Sequence, residues 1–565
     1  MYKQMIYDLL KLLEEKHLDC YFNISKEETS KYIEGLLDNN DLNDEYDFYY
    51  FGNKLIKKMF SVYDSHTKVM FKNASPYNFP IRLKLIDNKL YIAKINDEHK
   101  DFLFSQILKI NDIDINQLIN ELDEIVPYST KEFFESEIER VFFNGKKIKS
   151  LPSMKEYRSV DEFKYIVLKD GQIKEMNLNY SNQKFNNKEN INYEINNDTI
   201  VIHYNICKED YEEQMKEFVK TIEEEAKKNN IENYIVDIRD NMGGNSYIIK
   251  PLIEYLKDKK VITLTGKDTF SAGRFALVDL INIGSITVGT GIGTSINCFG
   301  NSPRDEIGDN FFIPISNKYF YFEDNHLKGI DNKEQFKKLK EDSEYSFIFN
   351  PIIFKPDYYV ENSIEDIKNG YDRQLHSAKL LINKKLNNNR KDEFLKLKTP
   401  EELMKFLDDN MTYGWLDSNN QKHINTLSHV REKYRTSSVE EILDSGLYTC
   451  IESAKLIKLF FDKIGLENKL YCHRTYEDED NFDKSIKMHC FVLFKKDDHW
   501  YHFEHSMTPI KGIHKYESVE EALDNITSKW DKNERQLVEI DNIPDGLSFK
   551  EFNQYVNQFD KNKVK

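Results

Sequence analysis

Ile235-Val236-Asp237-Ile238-Arg239-Asp240-Asn241-Met242-Gly243-Gly244-Asn245, followed by Thr269-Phe270-Ser271-Ala272-Gly273-Arg274, decides how this chain is read. The first stretch is an apolar run that stops at a charged turn with paired glycines. A buried strand ends this way, at a loop whose backbone N–H groups no side chain shields. Val261-Ile262-Thr263-Leu264-Thr265 predicts another strand, and Ser271 stands where the chain turns into the apolar stretch Phe275 to Ile283. A serine at a helix N-terminus has unpaired N–H groups beside it and a dipole that favours developing negative charge. The two segments together describe a nucleophile, Ser271, and an oxyanion hole made by N–H groups around Gly243, Gly244 and Ala272.

These residues resemble the tail-specific, or C-terminal processing, serine peptidases, whose pattern is a strand-end Asp-Leu-Arg-x-Asn-x-Gly-Gly and then a Ser-Ala/Ser-x-Glu turn. The resemblance runs on through Ile286-Thr287-Val288-Gly289, the glycine-rich Thr290-Gly291-Ile292-Gly293, Lys355-Pro356-Asp357 and Asn369-Gly370-Tyr371-Asp372. It implies a ClpP/crotonase-like core that hydrolyses bonds of a peptide or protein substrate without a cofactor. Two positions depart from the pattern. Arg274 replaces the Glu after the nucleophile, and Thr294 and Ser295 stand where many members carry a general-base lysine, which argues against a Ser-Lys dyad.

A serine hydroxyl still needs a base. Asp64-Ser65-His66-Thr67 resembles the Asp-x-His-Thr turn of the His-dependent, tricorn-type branch of the same family, and that resemblance makes His66 the base. An imidazole in its ordinary range predicts activity that rises toward neutral and alkaline pH. The acid that orients His66 stays open: Asp64 lies close in sequence, and the pattern does not choose between Glu323 and Asp372.

A second constellation lies near the C-terminus. Cys450 precedes the apolar helical stretch Ile451 to Phe461, and a thiol at a helix N-terminus is activated by the dipole. His489-Cys490-Phe491-Val492-Leu493-Phe494 and Trp500-Tyr501-His502-Phe503-Glu504-His505 flank a polar turn. A hairpin with Lys496-Asp497 as its two-residue loop puts His489 directly opposite Glu504, near enough for the carboxylate to hold the imidazole tautomer. Nucleophile, base and orienting acid make a Cys-His-acid triad. It resembles the transglutaminase-like, papain-like cysteine peptidase fold, with Tyr448 in place of the family's common Gly and Glu504 in place of its more usual Asp. His502 and His505 fall on alternate faces, which argues against a metal site.

At 565 residues the chain exceeds one core, and its 34 Tyr and 37 Phe supply burial despite 31% charged residues. The predicted class is a multidomain α/β protein. It has a helical N-terminal cap over 1–60, a degenerate PDZ-like and connecting region over 61–190, and a serine peptidase core over 191–386. A linker over 387–398 then leads to an α+β transglutaminase-like domain over 399–565. The PDZ reading rests on the short phrase Leu108-Lys109-Ile110-Asn111-Asp112. A formal charge of −17 excludes a generally basic face for nucleic acid or anionic membrane. Six scattered cysteines without a Cys-x-x-Cys pair suit reduced thiols, and with the amphipathic rather than continuously apolar N-terminus they predict a cytoplasmic protein. The rival reading is a peptide- or protein-binding scaffold that retains both folds without both chemistries.

Overall fold

Because parallel strands are covered on both faces, their sequences are largely apolar runs, and four such strands pair in this molecule. The computed structural model describes residues 1–181, 185, 189–208, 212–384, 389–424, 431–475, 488–528 and 535–559. It divides into two compact units, one of residues 1–356 and 361–375, the other of 357–360 and 376–565.

In the first unit, strands Thr199–Tyr204, Asn233–Asp237, Lys260–Thr265 and Ile286–Gly289 pair in parallel, with Ile191–Asn196 antiparallel at the outer edge. Helices Glu212–Asn229, Lys250–Leu256 and Ala272–Asn282 make the crossovers. Ile200, Ile202, Val236, Leu252 and Leu277 are all fully buried. Each such side chain contributes about 1.5–3 kcal/mol relative to exposure.

Residues 1–60 form helices Tyr2–Lys16, Lys26–Asn39 and Glu45–Phe60, whose apolar faces share a core with Phe311, Ile313 and Ile315. The next region is an antiparallel sheet in the order Ile81–Ile86, Lys89–Ile95, Gln106–Ile110, Phe163–Lys169, Gln172–Leu178. Helices Ile115–Asp123 and Lys131–Val141 pack on it. Asn111 and Asp112, in the phrase that prompted the PDZ reading, both have positive φ, 47° and 67°, and make the tight turn after Gln106–Ile110.

The second unit carries an antiparallel five-stranded sheet in the order Gly512–Tyr516, His499–Glu504, Met488–Lys496, Asn468–Thr475, Arg535–Ile540. Helix Cys450–Ile464 packs on one face with Leu456, Phe460 and Phe461 buried. The linker expected over 387–398 is, in its described part, the helix Arg390–Lys396, with Phe394 at 2% exposure against Phe406 and Phe460. One aromatic anchors what its asparagine- and charge-rich neighbours mark as solvent-exposed chain.

Candidate functional site

Two hydrogen bonds fasten the turn that carries Ser271 to the loop at the end of strand Asn233–Asp237, and a third closes the turn on itself. Thr269 donates through Oγ1 to the Ile238 carbonyl at 2.8 Å, Phe270 N–H donates to the Asn241 carbonyl at 2.9 Å, and Gly273 N–H closes the turn onto Phe270 at 2.9 Å. Ser271 is the N-cap of helix Ala272–Asn282, at φ 52° and ψ −119°. An N-cap serine ordinarily spends its hydroxyl on an N–H of the first turn. Ser271, a half-buried residue, makes no such bond, so among the described residues its Oγ is not committed to the helix cap. A non-glycine residue with positive φ costs about 1–3 kcal/mol and persists where its surroundings over-determine it.

The paired glycines allow the two loops to touch. A Cβ on Gly243 (φ 101°) would lie 2.7 Å from both Ala272 N and Ser271 Cβ, and one on Gly244 (φ 129°) would lie 1.9 Å from the Cys207 carbonyl oxygen. Cys207, three residues beyond the end of strand Thr199–Tyr204, clasps this loop: its N–H donates to Gly243 O at 3.0 Å, and its carbonyl accepts from Asn245 N–H at 2.7 Å. Its thiol reaches Asn241 Oδ1 at 3.2 Å. The structure corrects one member of the expected oxyanion set, because Gly243 N–H already donates to Asn241 Oδ1 at 3.0 Å. Among the described residues, the N–H groups of Gly244 and Ala272 have no acceptor. Asn241 two residues before the first glycine is a readable Asx-turn signal; Cys207 carries no signal in the sequence.

Gly244→Ala is therefore expected to cost about 2–4 kcal/mol through strain and overlap. Gly35→Ala, inside a helix with open space around the new methyl group, should gain about 0.5–1 kcal/mol. Urea unfolding of the two variants checks both signs.

His66 stacks on Phe270, the residue before Ser271, with ring centroids 4.4 Å apart. Asp64 fixes its loop: the fully buried carboxylate accepts from His66 N–H at 2.8 Å, Thr67 N–H at 3.2 Å, Ser316 Oγ at 3.0 Å and the His17 ring at 3.2 Å. The Asp64 carboxylate also lies 3.9 Å from His66 Nδ1, a nitrogen with no hydrogen-bond partner. Asp64, near in sequence, is thus the acid beside His66. Asp372 is engaged by Arg239 through two bonds, at 2.9 and 2.7 Å, and Glu323 pairs with Lys328. Burial, with smaller contributions from Arg274 and Lys68 and against the pull of Asp64, pushes the His66 pKa down to about 4. No hydrogen bond joins His66 to Ser271 Oγ; such bonds commonly tighten only when substrate is bound.

Arg274 is 1% exposed, its Nη1 donating to the carbonyls of Ser295 and Ile296 at 3.1 and 2.9 Å and touching Cys298 Sγ at 2.6 Å. It thereby straps the 295–298 turn to the first turn of the nucleophile helix. This holds where the common glutamate would stand.

Residues 198–275 match the model of peptidase family S41. This S41-type segment runs from strand Thr199–Tyr204 through the glycine loop and Ser271 to Phe275, so it contains the nucleophile turn and the loop facing it. No curated protein matches the chain. Among solved structures, the photosystem II D1 C-terminal processing protease is similar at 9% identity and TM-score 0.35, over 64% of this chain and 93% of that one. Mature CPAF is similar at 10% identity and TM-score 0.45, over 67% of this chain and 96% of that one.

The second unit brings His489 and Glu504 together, and Cys450 Sγ lies 3.7 Å from the carbonyl of Met488, the residue before His489. Thr449 caps the helix that Cys450 begins, in a reciprocal box with the buried Glu452, which also accepts from Tyr434 Oη at 2.6 Å. His489 Nε2 lies 2.8 Å from Glu504 Oε2, and Glu504 also accepts from Ser506 Oγ at 3.0 Å and Met507 N–H at 2.9 Å. Burial opposes charge on His489, but hydrogen bonding with Cys450 and Glu504 prevails and lifts its pKa to about 10. Burial likewise opposes charge on Glu504, yet His489 and His502 hold its carboxyl well below the usual range.

The expected hairpin register is corrected by two residues. Lys496 pairs with His499 and Val492 with Phe503, so the loop is Asp497-Asp498, with φ 51° and 62°. A two-residue loop of this type needs positive φ at both positions, which Asp tolerates better than Lys. A shift of two preserves the face of every side chain, so His489 and Glu504 meet diagonally instead of directly. His505 bonds elsewhere, to Asp408 at 3.0 Å. Among the described residues no group of three or more His, Cys, Asp or Glu side chains is placed to hold a metal ion, and no helix is long and apolar enough to cross a membrane.

Proposed function

We propose that this protein is a serine-type peptidase acting on peptide or protein substrates through Ser271, with His66 as its base. The observation that carries the reading is the uncapped N-cap serine, at positive φ, packed against a glycine loop within the S41-type segment. In this mechanism Ser271 Oγ attacks the scissile carbonyl while His66, neutral at physiological pH, takes the proton and returns it to the leaving amine. The N–H groups of Ala272 and Gly244 face the developing oxyanion. Asp64 holds the His66 backbone and, 3.9 Å from Nδ1, supports the transient charge of the imidazole.

The proposal includes a transglutaminase-like second module in which Cys450 forms a thioester, His489 is its base and Glu504 the orienting acid. The 2.8 Å contact between His489 and Glu504 supports it. The six free cysteines favour a cytoplasmic setting.

Treating the native protein with a fluorophosphonate and, separately, with iodoacetamide tests both modules. Labelling confined to Ser271 by the first and favouring Cys450 by the second is expected. Absence of labelling at both residues would instead establish the binding-scaffold reading.

A further inference from the structure

Cys472 and Cys490 lie directly opposite each other on the antiparallel strands Asn468–Thr475 and Met488–Lys496. The class of their pairing follows from one bond at the end of the ladder. Lys495 N–H donates to the Glu467 carbonyl at 2.8 Å, which makes 467 and 495 a hydrogen-bonded pair. Hydrogen-bonded and non-hydrogen-bonded pairs alternate, so Asn468 with Phe494, Leu470 with Val492 and Cys472 with Cys490 are of the non-hydrogen-bonded kind. Such pairs have Cα atoms about 4.5 Å apart and their side chains at closest approach. A disulfide requires Cα atoms roughly 4.4–6.8 Å apart, a range that pairs of this kind satisfy.

The side chains agree with the backbone. Both cysteines belong to the core cluster under helix Cys450–Ile464, at 0% and 2% exposure. Cys490 adjoins His489 in the chain, and His489 is itself opposite His473. We propose that Cys472 and Cys490 form a reversible cross-strand disulfide, a redox modification site one residue from the base of the Cys450 module. The inference does not depend on that module being catalytic.

Hydrogen peroxide is a sufficient oxidant. One cysteine, as thiolate, attacks a peroxide oxygen; the O–O bond breaks, hydroxide leaves, and a sulfenic acid remains. The second thiolate displaces hydroxide from that sulfur, forming the S–S bond. Two thiols and one peroxide thus give one disulfide and two waters, two electrons passing from sulfur to oxygen. A dithiol of the dithiothreitol class reverses the change by exchange. Burial pushes the Cys490 thiol well above its usual range, so oxidation is slow near neutral pH and faster as pH rises. Once formed, the bridge closes the chain between the two strands into a loop and stabilises the unit mainly by restricting its unfolded state.

The test uses the full chain, treated with peroxide while folded, then unfolded, alkylated and digested. The expected result is a linked pair of peptides containing Cys472 and Cys490, the loss of two alkylatable thiols at those positions, and their recovery with dithiothreitol. The thermal transition of the second unit should rise by about 5 °C or more, and this rise should vanish in Cys472→Ala. Cys472 and Cys490 both remaining alkylatable after Cys450 has been consumed would overturn the proposal, as would a bridge from Cys450 to either of them. The peptide map is read on the unsubstituted protein, so it decides the matter even if Cys472→Ala folds poorly.

Discussion

Replacing His66 with alanine is expected to slow peptide hydrolysis on the order of 10²–10⁴-fold, the usual contribution of a positioned general base. Lys318→Ala should leave the rate unchanged, since Lys318 is engaged by Asp331 at 3.5 Å. The pH profile separates a base from a structural histidine. The sequence alone points to activity rising through neutrality, but burial and the nearby cations place the His66 pKa near 4. The reactive imidazole is the neutral form, so kcat/KM should climb as pH rises through about 4 and be level near neutrality. Stability follows the same sign. A histidine whose pKa is lower folded than unfolded favours the native state above the unfolded value, and that contribution is lost as pH falls from about 6.5 toward 4. A full rate in His66→Ala, or an ascending limb at the ordinary histidine pKa, would remove His66 from the role.

What was readable in the sequence follows from which forces are local. The parallel strands were legible because burial on both faces writes itself as unbroken apolar runs, as in Tyr234-Ile235-Val236. Ser271 was legible because a strand end, a turn and an apolar helix must follow one another in the chain. The clasp by Cys207 was not, because it acts mainly through its backbone groups on residues some three dozen positions away, and nothing in the identity of residue 207 announces it. His17 was hidden for a related reason: it reaches Asp64 from the first helical segment, and only tertiary packing against Phe60 and Phe299 brings it there. The hairpin lies between these cases. Its pairing partners were evident, but the register turned on which two residues tolerate positive φ. Only because the shift was even did His489 and Glu504 keep a common face.

Glu504→Gln is expected to keep the second unit folded while lowering the alkylation rate of Cys450 near neutral pH by about 10- to 100-fold. Glu504 is 2% exposed, and its charge, with the bond to Cys450, sustains the raised pKa of His489. An amide can still accept from Ser506 and Met507, so the local fold survives, but it no longer neutralises an imidazolium. The His489 pKa then falls, and less imidazolium stands beside Cys450 to support its reaction with the alkylating agent. Glu504→Asp keeps the charge and should do much less. The measurement is alkylation rate against pH in the three proteins, because only the thiolate reacts. A curve for Glu504→Gln that overlays the parent's would mean that the 2.8 Å contact with His489 is structural, and that the second unit recognises its ligand without activating Cys450.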